Sequence, residues 1–438
     1  MPIQVNNEAV RRMILSSCET SAEEHAREWE RKDIQGISWD LTDCSRERFR
    51  KYRLRHLLST EKVPLKEDCK ETKTGAKYYS FAKYDCCSMS TEQYYEDTYN
   101  AGMVWSTSKD DVYLGTRYQI GHCPALTSQN TTILDLEGHV APSELHPGNH
   151  MGGFYMTQIS AMTIRDKLLI VGGTEGQLIC KLLDRPGVSF CVPPSCEPQG
   201  KINAIDIYNH RSGAVHFMTS GQNCSVKDFD AETFQFCSDF RFPWPVNHVS
   251  WSPDGKMFVA VGDDPQGKLV DAKSGMIIDS VSGHFGYTCS SAWYPNNEYN
   301  FATGNQDRTC RIWDARNLST SVHVLEGNVR AITSICFTSD GEFMAMGEDL
   351  DYVHVYHVID EFETKQEIDI FGHVSGLSFS PDTNSLFIGV SMDSFPTHLK
   401  FSRCCEADSD SDSNSNSDSD SDSDSDSKSD SKFDSDYS

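Results

Sequence analysis

Within Gly304–Arg316, "GNQDRTCRIWDAR", a carboxylate (Asp307), a Trp-Asp pair and an arginine (Arg316) fall inside thirteen residues. Such a stretch reads as part of a charged catalytic cluster, as internal fastening, or as a docking site. The motifs that would carry a reaction are missing around it. There is no G-x-x-x-x-G-K-[ST] phosphate loop, no H-E-x-x-H, no G-x-S-x-G elbow and no Gly-rich nucleotide fingerprint. The sixteen cysteines are scattered without paired C-x-x-C units, and "CVPPSC" (Cys191–Cys196) has the wrong spacing and no second half. The expectation is a protein that is not an enzyme and uses no metal or cofactor, its thiols idle in a reducing compartment.

The elements that must position these residues repeat along the chain. "VSWSPDG", "SAWYPNN", "ICFTSDG" and "LSFSPDT" carry aromatics at Trp251, Trp293, Phe337 and Phe379, which are 42, 44 and 42 residues apart. A second register keeps a similar period: Leu183-Asp184, Phe229-Asp230, Val270-Asp271, Trp313-Asp314 and Tyr356-His357. Two features sharing a period of about 43 define a structural unit. In one unit "NHVSWS" alternates, "PDGK" turns, "MFVAVG" is β-rich, "DDPQG" turns again, and "KLVDA" and "MIIDSV" follow. Four short strands per unit, with Gly-His at 138–139, 283–284 and 372–373, form the pattern of a propeller blade. Residues 97–403 hold seven such units. The boundaries before residue 160 are the least marked.

The sequence therefore resembles WD40-repeat proteins. Through "LDRPGVSFC", "SGAVHFM", "FRFPWPVNH", "ATGNQDRTCRIWDARNLS" and "FTSDGEFMAM" it resembles, more closely, an uncharacterised WD-repeat family of plants and fungi. The resemblance implies an all-β, seven-bladed WD40 β-propeller with a partly helical N-terminal extension and a disordered acidic C-terminal tail. It also implies an adaptor-like role. For the opening stretch it implies a structural tetrad at His284, Thr303, Asp307 and Trp313: Asp307 accepts from His284, the Thr303 hydroxyl relays, and the Trp313 indole donates. Other blades depart from this pattern, and "EGN", ending at Asn328, stands where Gly-His is expected; packing is expected to replace the missing hydrogen bonds there. Arg316 fits a W-D-x-R box through which some WD40 proteins attach to the adaptor of cullin-four ubiquitin ligases, the plainer reading being a surface arginine paired with a carboxylate. The loop "RFPWPVNH" joins the third and fourth blades. Its prolines stiffen Phe242 and Trp244, so Arg241, Phe242 and Trp244 are candidate partner-binding residues, against the reading in which Trp244 packs between blades.

The flanks differ in composition. Residues 1–95 are polar and hold two candidate helices, one beginning at the Ser21/Glu24 capping box and one over Ser45–Glu61, where Phe49, Tyr52 and Leu57 share a face amid Arg46, Arg48, Arg50, Lys51, Arg53 and Arg55. That basic segment suits RNA, nuclear import, or an acidic surface of its own protein, and the last is favoured because the chain is so acidic. A closed ring leaves no free sheet edge, so "AKYYSFAKY" (Ala76–Tyr84) is the candidate strand to complete the last blade. From residue 404 the chain becomes a Ser/Asp tail; 408–438 holds eleven Asp and two Lys and is expected to be disordered, solubilising, and open to acidophilic kinases.

A net charge of −26 argues against duplex nucleic acid as a partner. No secretory signal or membrane span is expected. The reading is a monomeric intracellular protein of cytoplasm or nucleus, a non-catalytic protein-interaction scaffold. Substrate receptor of a cullin-four ligase is one alternative, and nuclear adaptor for basic proteins such as histones is another.

Overall fold

The computed structural model describes residues 32–60, 69–86, 102–124, 130–192, 200–392 and 395–404. The capping-box helix at Ser21 and the acidic tail lie outside the described residues. Five separate four-stranded antiparallel sheets cover 104–135, 159–192, 202–241, 246–281 and 288–326, and a larger sheet follows. The strand Thr364–Phe379 belongs to two blades, pairing through its first half with Leu350–His357 and through its second with Ser385–Met392. Divided there, the larger sheet supplies blades six and seven. The seventh is completed from the other end of the chain: Tyr79–Cys86 runs antiparallel to Phe395–Arg403 as its outer strand.

The middle strands explain why the sequence reads as apolar runs rather than as strict alternation. Met257–Gly262 and Phe343–Glu348 are buried along almost their whole length, because a blade has a neighbour on each face. The close approach has a repeating mark in the sequence. Gly115, Gly172, Gly304, Gly347 and Gly389 lie in the last part of the second strand of their blades, and a Cβ on them would press on Met103 and Met162, Ile202, Ile332, Leu377 and Val104 respectively. Apart from Met103, a residue of Gly115's own blade, these side chains belong to the next blade. The Gly389–Val104 contact joins blade seven to blade one. Two hydrogen bonds reinforce the closure, from the Met103 amide to the Ser375 carbonyl (3.0 Å) and from the Ser106 amide to Ser378 Oγ (2.9 Å).

Between blades one and two the chain makes a small two-stranded excursion, His139–Val140 with Phe154–Tyr155. The Gly-His phrase at 138–139 therefore opens an insertion, with His139 exposed against Tyr155 instead of buried in a blade.

The basic helix spans Arg46–Thr60, with the Ser45 hydroxyl accepting from the Arg48 amide at its start. The face it turns to the propeller combines arginines with Phe49, whose ring lies 5.2 Å from that of Phe371. Arg46, Arg50 and Arg53, spaced to share one helix face, reach Asp369 and Asp351 of blade six, while Tyr52 of the expected apolar face is exposed. Arg50 is the centre of the contact. Its guanidinium bonds Asp351 at 2.8 Å, also reaches Asp369, and lies 4.0 Å above the Phe371 ring. Asp351 is fully buried and additionally accepts from the Gly372 amide (2.9 Å) and from Arg53. Upstream, the Gln35 side chain makes a two-way pair with the Phe371 backbone, donating to its carbonyl (2.8 Å) and accepting from its amide (2.6 Å).

Candidate partner-binding face

Strands alternate in direction, so the blade-to-blade connections and the turns between second and third strands emerge at one end of every sheet. That end surrounds the mouth of the central channel, a cavity of about 860 Å³ lined by the innermost strands.

The channel is where local chemistry would be sought. His248 Nδ1 lies 3.0 Å from Ser291 Oγ, but among the described contacts no carboxylate is hydrogen-bonded to the imidazole, so the pair lacks the third group that would orient it as a base. Burial pushes His248 down to about 4, and burial pushes Asp206 up to about 7 against the opposing backbone amide of Trp251 and the charge of Arg165. The two act oppositely on stability. A half-buried histidine held neutral is penalised as the unfolded chain takes up its proton below about 6.5, so its contribution falls as pH drops towards 4. A raised carboxyl contributes most below its unfolded value and loses that contribution as pH rises through about 7. Relative to wild type, Asp206→Asn is therefore expected to lose stability as pH is lowered from 7 to 4, and His248→Asn to gain it from 6.5 to 4. Urea midpoints measured across that range check both signs, and parallel curves would contradict them.

On the loop face the four residues of the tetrad meet. His284 Nε2 lies 2.8 Å from Thr303 Oγ1, His284 Nδ1 3.1 Å from Asp307 Oδ2, and the Trp313 indole N–H donates to Thr303 Oγ1 at 2.8 Å. All four are buried. Burial opposes ionisation of Asp307, but hydrogen bonds from His284, Thr309 and the Phe285 amide outweigh it and hold the carboxyl down at about 2. A fully used carboxylate and a buried histidine have no open valence for a substrate, and their geometry is that of a fastening.

What the fastening positions is an exposed aromatic pair. Phe285 and Tyr287 are 57% and 52% exposed, although three backbone groups of the segment are hydrogen-bonded. The Phe285 amide donates to Asp307 (3.0 Å), Asn305 Nδ2 to the Gly286 carbonyl (2.6 Å), and the Gln306 amide to the Tyr287 carbonyl (2.9 Å). Tyr287 also lines the channel mouth. This pair was not singled out in the sequence, where "HFGYT" lacks the prolines that drew attention one blade earlier. Its available signal was two aromatics directly after the Gly-His of the best-formed repeat.

The proline-flanked loop follows the second of its two readings, in which Trp244 packs between blades. Phe242 and Trp244 are buried in the core between blades three and four, stacked on each other at 5.3 Å, and the Trp244 ring lies over the glycine at 262. Two large apolar rings with a glycine-sized recess beside them fold inward, so they are not offered to a partner. Arg241 remains exposed and bonds Asp239 at 2.8 Å. Arg316, at the opposite end of its blade, is also exposed, yet its guanidinium is held by Asp314 (2.7 Å) and lies 4.8 Å above the Tyr299 ring.

Blade six replaces the tetrad with another polar device rather than with packing alone. The buried Glu348 carboxylate accepts from the amides of Asn328, Val329 and Arg330 at 2.5–2.7 Å and bonds His354 at 2.8 Å. An anion cradled by three successive amides does the work that Gly-His does one blade earlier. Elsewhere the thiols of Cys180, Cys191 and Cys310 are buried, and burial pushes the Cys191 thiol up to about 12.

Comparison with known proteins agrees with this geometry. The family model "WD domain, G-beta repeat" matches residues 238–271, 275–314 and 319–356. Each matched segment takes in outer-strand residues of one blade and the three inner strands of the next, so repeats and blades are offset by one strand. The chain is 26% identical over 148 residues to protein sof1 of Schizosaccharomyces pombe (33% of this chain, 32% of that protein). It is 26% identical over 249 residues to nuclear distribution protein PAC1 of Coccidioides posadasii (48% and 52%). A ribosome biogenesis protein WDR12 homolog of Nematostella vectensis is 28% identical over 79 residues (18% and 19%). The matches span about a fifth to a half of these relatives' own lengths. Among solved structures, a chain of the mitotic checkpoint complex superposes with a TM-score of 0.59 at 14% identity, over 79% of this chain and 99% of that one, which establishes the fold. No helix among the described residues is long and apolar enough to cross a membrane. Three matched WD40 repeats are set inside a ring of seven four-stranded blades, so this chain carries WD40 repeats in a β-propeller fold.

Proposed function

We propose that the protein is a non-catalytic interaction scaffold of nucleus and cytoplasm whose loop face docks a basic protein segment. The observation that carries this reading is the Phe285/Tyr287 pair, exposed at the channel mouth on a backbone immobilised before any partner arrives. Rigid, half-exposed aromatics cost little conformational entropy on binding and are the side chains that dominate interface energies. Asp263 and Asp349 on neighbouring turns and the net charge of −26 favour a cationic partner. The relatives whose names place them in ribosome biogenesis and nuclear distribution support an adaptor role of this kind without specifying the partner.

Affinity purification from cell extract tests the reading. Replacing both Phe285 and Tyr287 by Ala is expected to weaken the principal partner by about a hundredfold or more, two anchors at roughly 2 kcal/mol each, and binding by wild type is expected to weaken with added salt. An unchanged partner list would refute the docking role. Arg316→Ala serves as a second arm. With its guanidinium already paired to Asp314, the variant is expected to keep the same partners, and loss of a ubiquitin-ligase adaptor from the recovered set would instead favour the cullin-four reading.

A further inference from the structure

Away from the loop face, the outer part of blade three gathers His216, Asp228 and Cys237, whose potential ligand atoms all lie within 4.8 Å of one another. They come from three adjacent strands, Val215–Gly221, Ser225–Asp230 and Phe236–Arg241. The pairing explains how they meet. His216 faces Asp230 and Asp228 faces Ser238, but the register then slips so that Phe229 faces Phe236, leaving Cys237 as the extra residue of a bulge. A bulge re-aims its side chains, and here it brings the thiol to the side that carries Asp228 and His216.

The geometry points to a binding site for one zinc-class dication, with the His216 imidazole, the Asp228 carboxylate and the Cys237 thiolate as ligands. One nitrogen, one oxygen and one sulfur donor suit a borderline-soft tetrahedral ion, with the fourth position left to water. The surroundings have the form of an outer shell. His216 Nδ1 lies 3.1 Å from Asp228, so this nitrogen and the carboxylate already converge, while the far nitrogen, Nε2, lies 3.9 Å from the Asp230 carboxylate. A carboxylate behind the distal nitrogen fixes the tautomer of a ligating histidine. Asp230 is itself held by the amides of Glu232 and Thr233 and by the Thr233 hydroxyl. On the other side the Tyr208 hydroxyl donates to Asp228 Oδ1 at 2.9 Å, and Tyr208 is stacked 3.6 Å from Trp251. His216 and Asp228 are buried, whereas Cys237 is exposed and gives the ion a route in. No sequence spacing announces the set, because its members are brought together by strand pairing rather than by a C-x-x-C turn.

The test uses the purified full-length chain after chelator treatment, titrated with Co²⁺ as a spectroscopic probe and then with competing Zn²⁺. Wild type is expected to take up Co²⁺ with a thiolate-to-metal charge-transfer band. Cys237→Ala, at an exposed position that leaves the fold intact by circular dichroism, is expected to lose that band and to weaken Zn²⁺ by at least about tenfold. Asp230→Asn keeps all three ligands and is expected to weaken Zn²⁺ by about tenfold through the histidine alone. Absence of stoichiometric binding by wild type, or the same spectrum and affinity in Cys237→Ala, would overturn the assignment.

Discussion

Replacing Arg50 by Ala is expected to lower the unfolding free energy by about 3 kcal/mol, read as a shift of the urea midpoint at constant slope. Arg50 is the nearly buried cation between Asp351, which has no solvent exposure, and Asp369. Deleting one partner of a buried ion pair leaves the other charge desolvated, at about 3–5 kcal/mol. The lower end applies because Arg53 and the Gly372 amide still reach Asp351. The same substitution strips the guanidinium from the faces of Phe371 and Tyr352. Arg50→Lys should lie between, keeping the charge but losing the fork that serves two carboxylates and a carbonyl at once. A midpoint within about 0.5 kcal/mol of wild type would mean that the N-terminal helix is only resting on blade six, as an ordinary surface pair would.

Removing residues 1–90 is expected to have the larger effect, leaving a chain without a single cooperative transition at the wild-type midpoint. That deletion takes the outer strand of blade seven, Tyr79–Cys86, with its ladder to Phe395–Arg403. It also removes Tyr79, a fully buried ring packed edge-on to Phe343 and beside Phe379, whose hydroxyl donates to the Thr383 carbonyl at 2.8 Å. An aromatic lost from a core costs about 3–5 kcal/mol, and each ladder bond adds about 1 kcal/mol. The total is comparable with the whole stability of about 5–15 kcal/mol of a folded domain. A shorter deletion of residues 1–68 separates the two roles of the extension, since it removes the arginine helix but keeps the strand; its midpoint should fall below that of Arg50→Ala, because Arg53 and the Gln35 pair are lost as well, and above that of the 1–90 deletion. If the 1–90 deletion melts as wild type does, ring closure does not depend on this strand.

These two effects show how far the sequence could be read. The period of about 43 residues, visible in Trp251, Trp293, Phe337 and Phe379, follows from a local rule: each unit is four short strands and three turns, and strand and turn preferences are written in neighbouring residues. The tetrad is what the resemblance to WD40 repeats implies, and it could be placed because His284, Thr303, Asp307 and Trp313 lie within one repeat. The basic character of residues 46–55 was legible too, and the chain's own acidity pointed to an internal partner. Which residues face that partner was not, since the arginine face of the helix is chosen by Asp351 and Asp369, about 300 positions away.

The exposed and buried aromatics were the harder distinction. Phe242 and Trp244 have the composition of a binding loop, yet they are drawn inward by the space beside Gly262; Phe285 and Tyr287, in a plainer loop, stay exposed on a backbone tied to Asp307 and to the Gln306 amide. Sequence by itself determined the repeat, the strands and the groups that must be satisfied within one blade, because those depend on neighbours a few tens of residues apart. Only the tertiary structure decided which aromatic rings reach solvent, which carboxylates the N-terminal arginines clamp, and that His216, Asp228 and Cys237 share one pocket of space. Those outcomes depend on the packing of one blade or strand against another, where a bulge or a missing Cβ redirects a side chain without changing the pattern that the sequence displays.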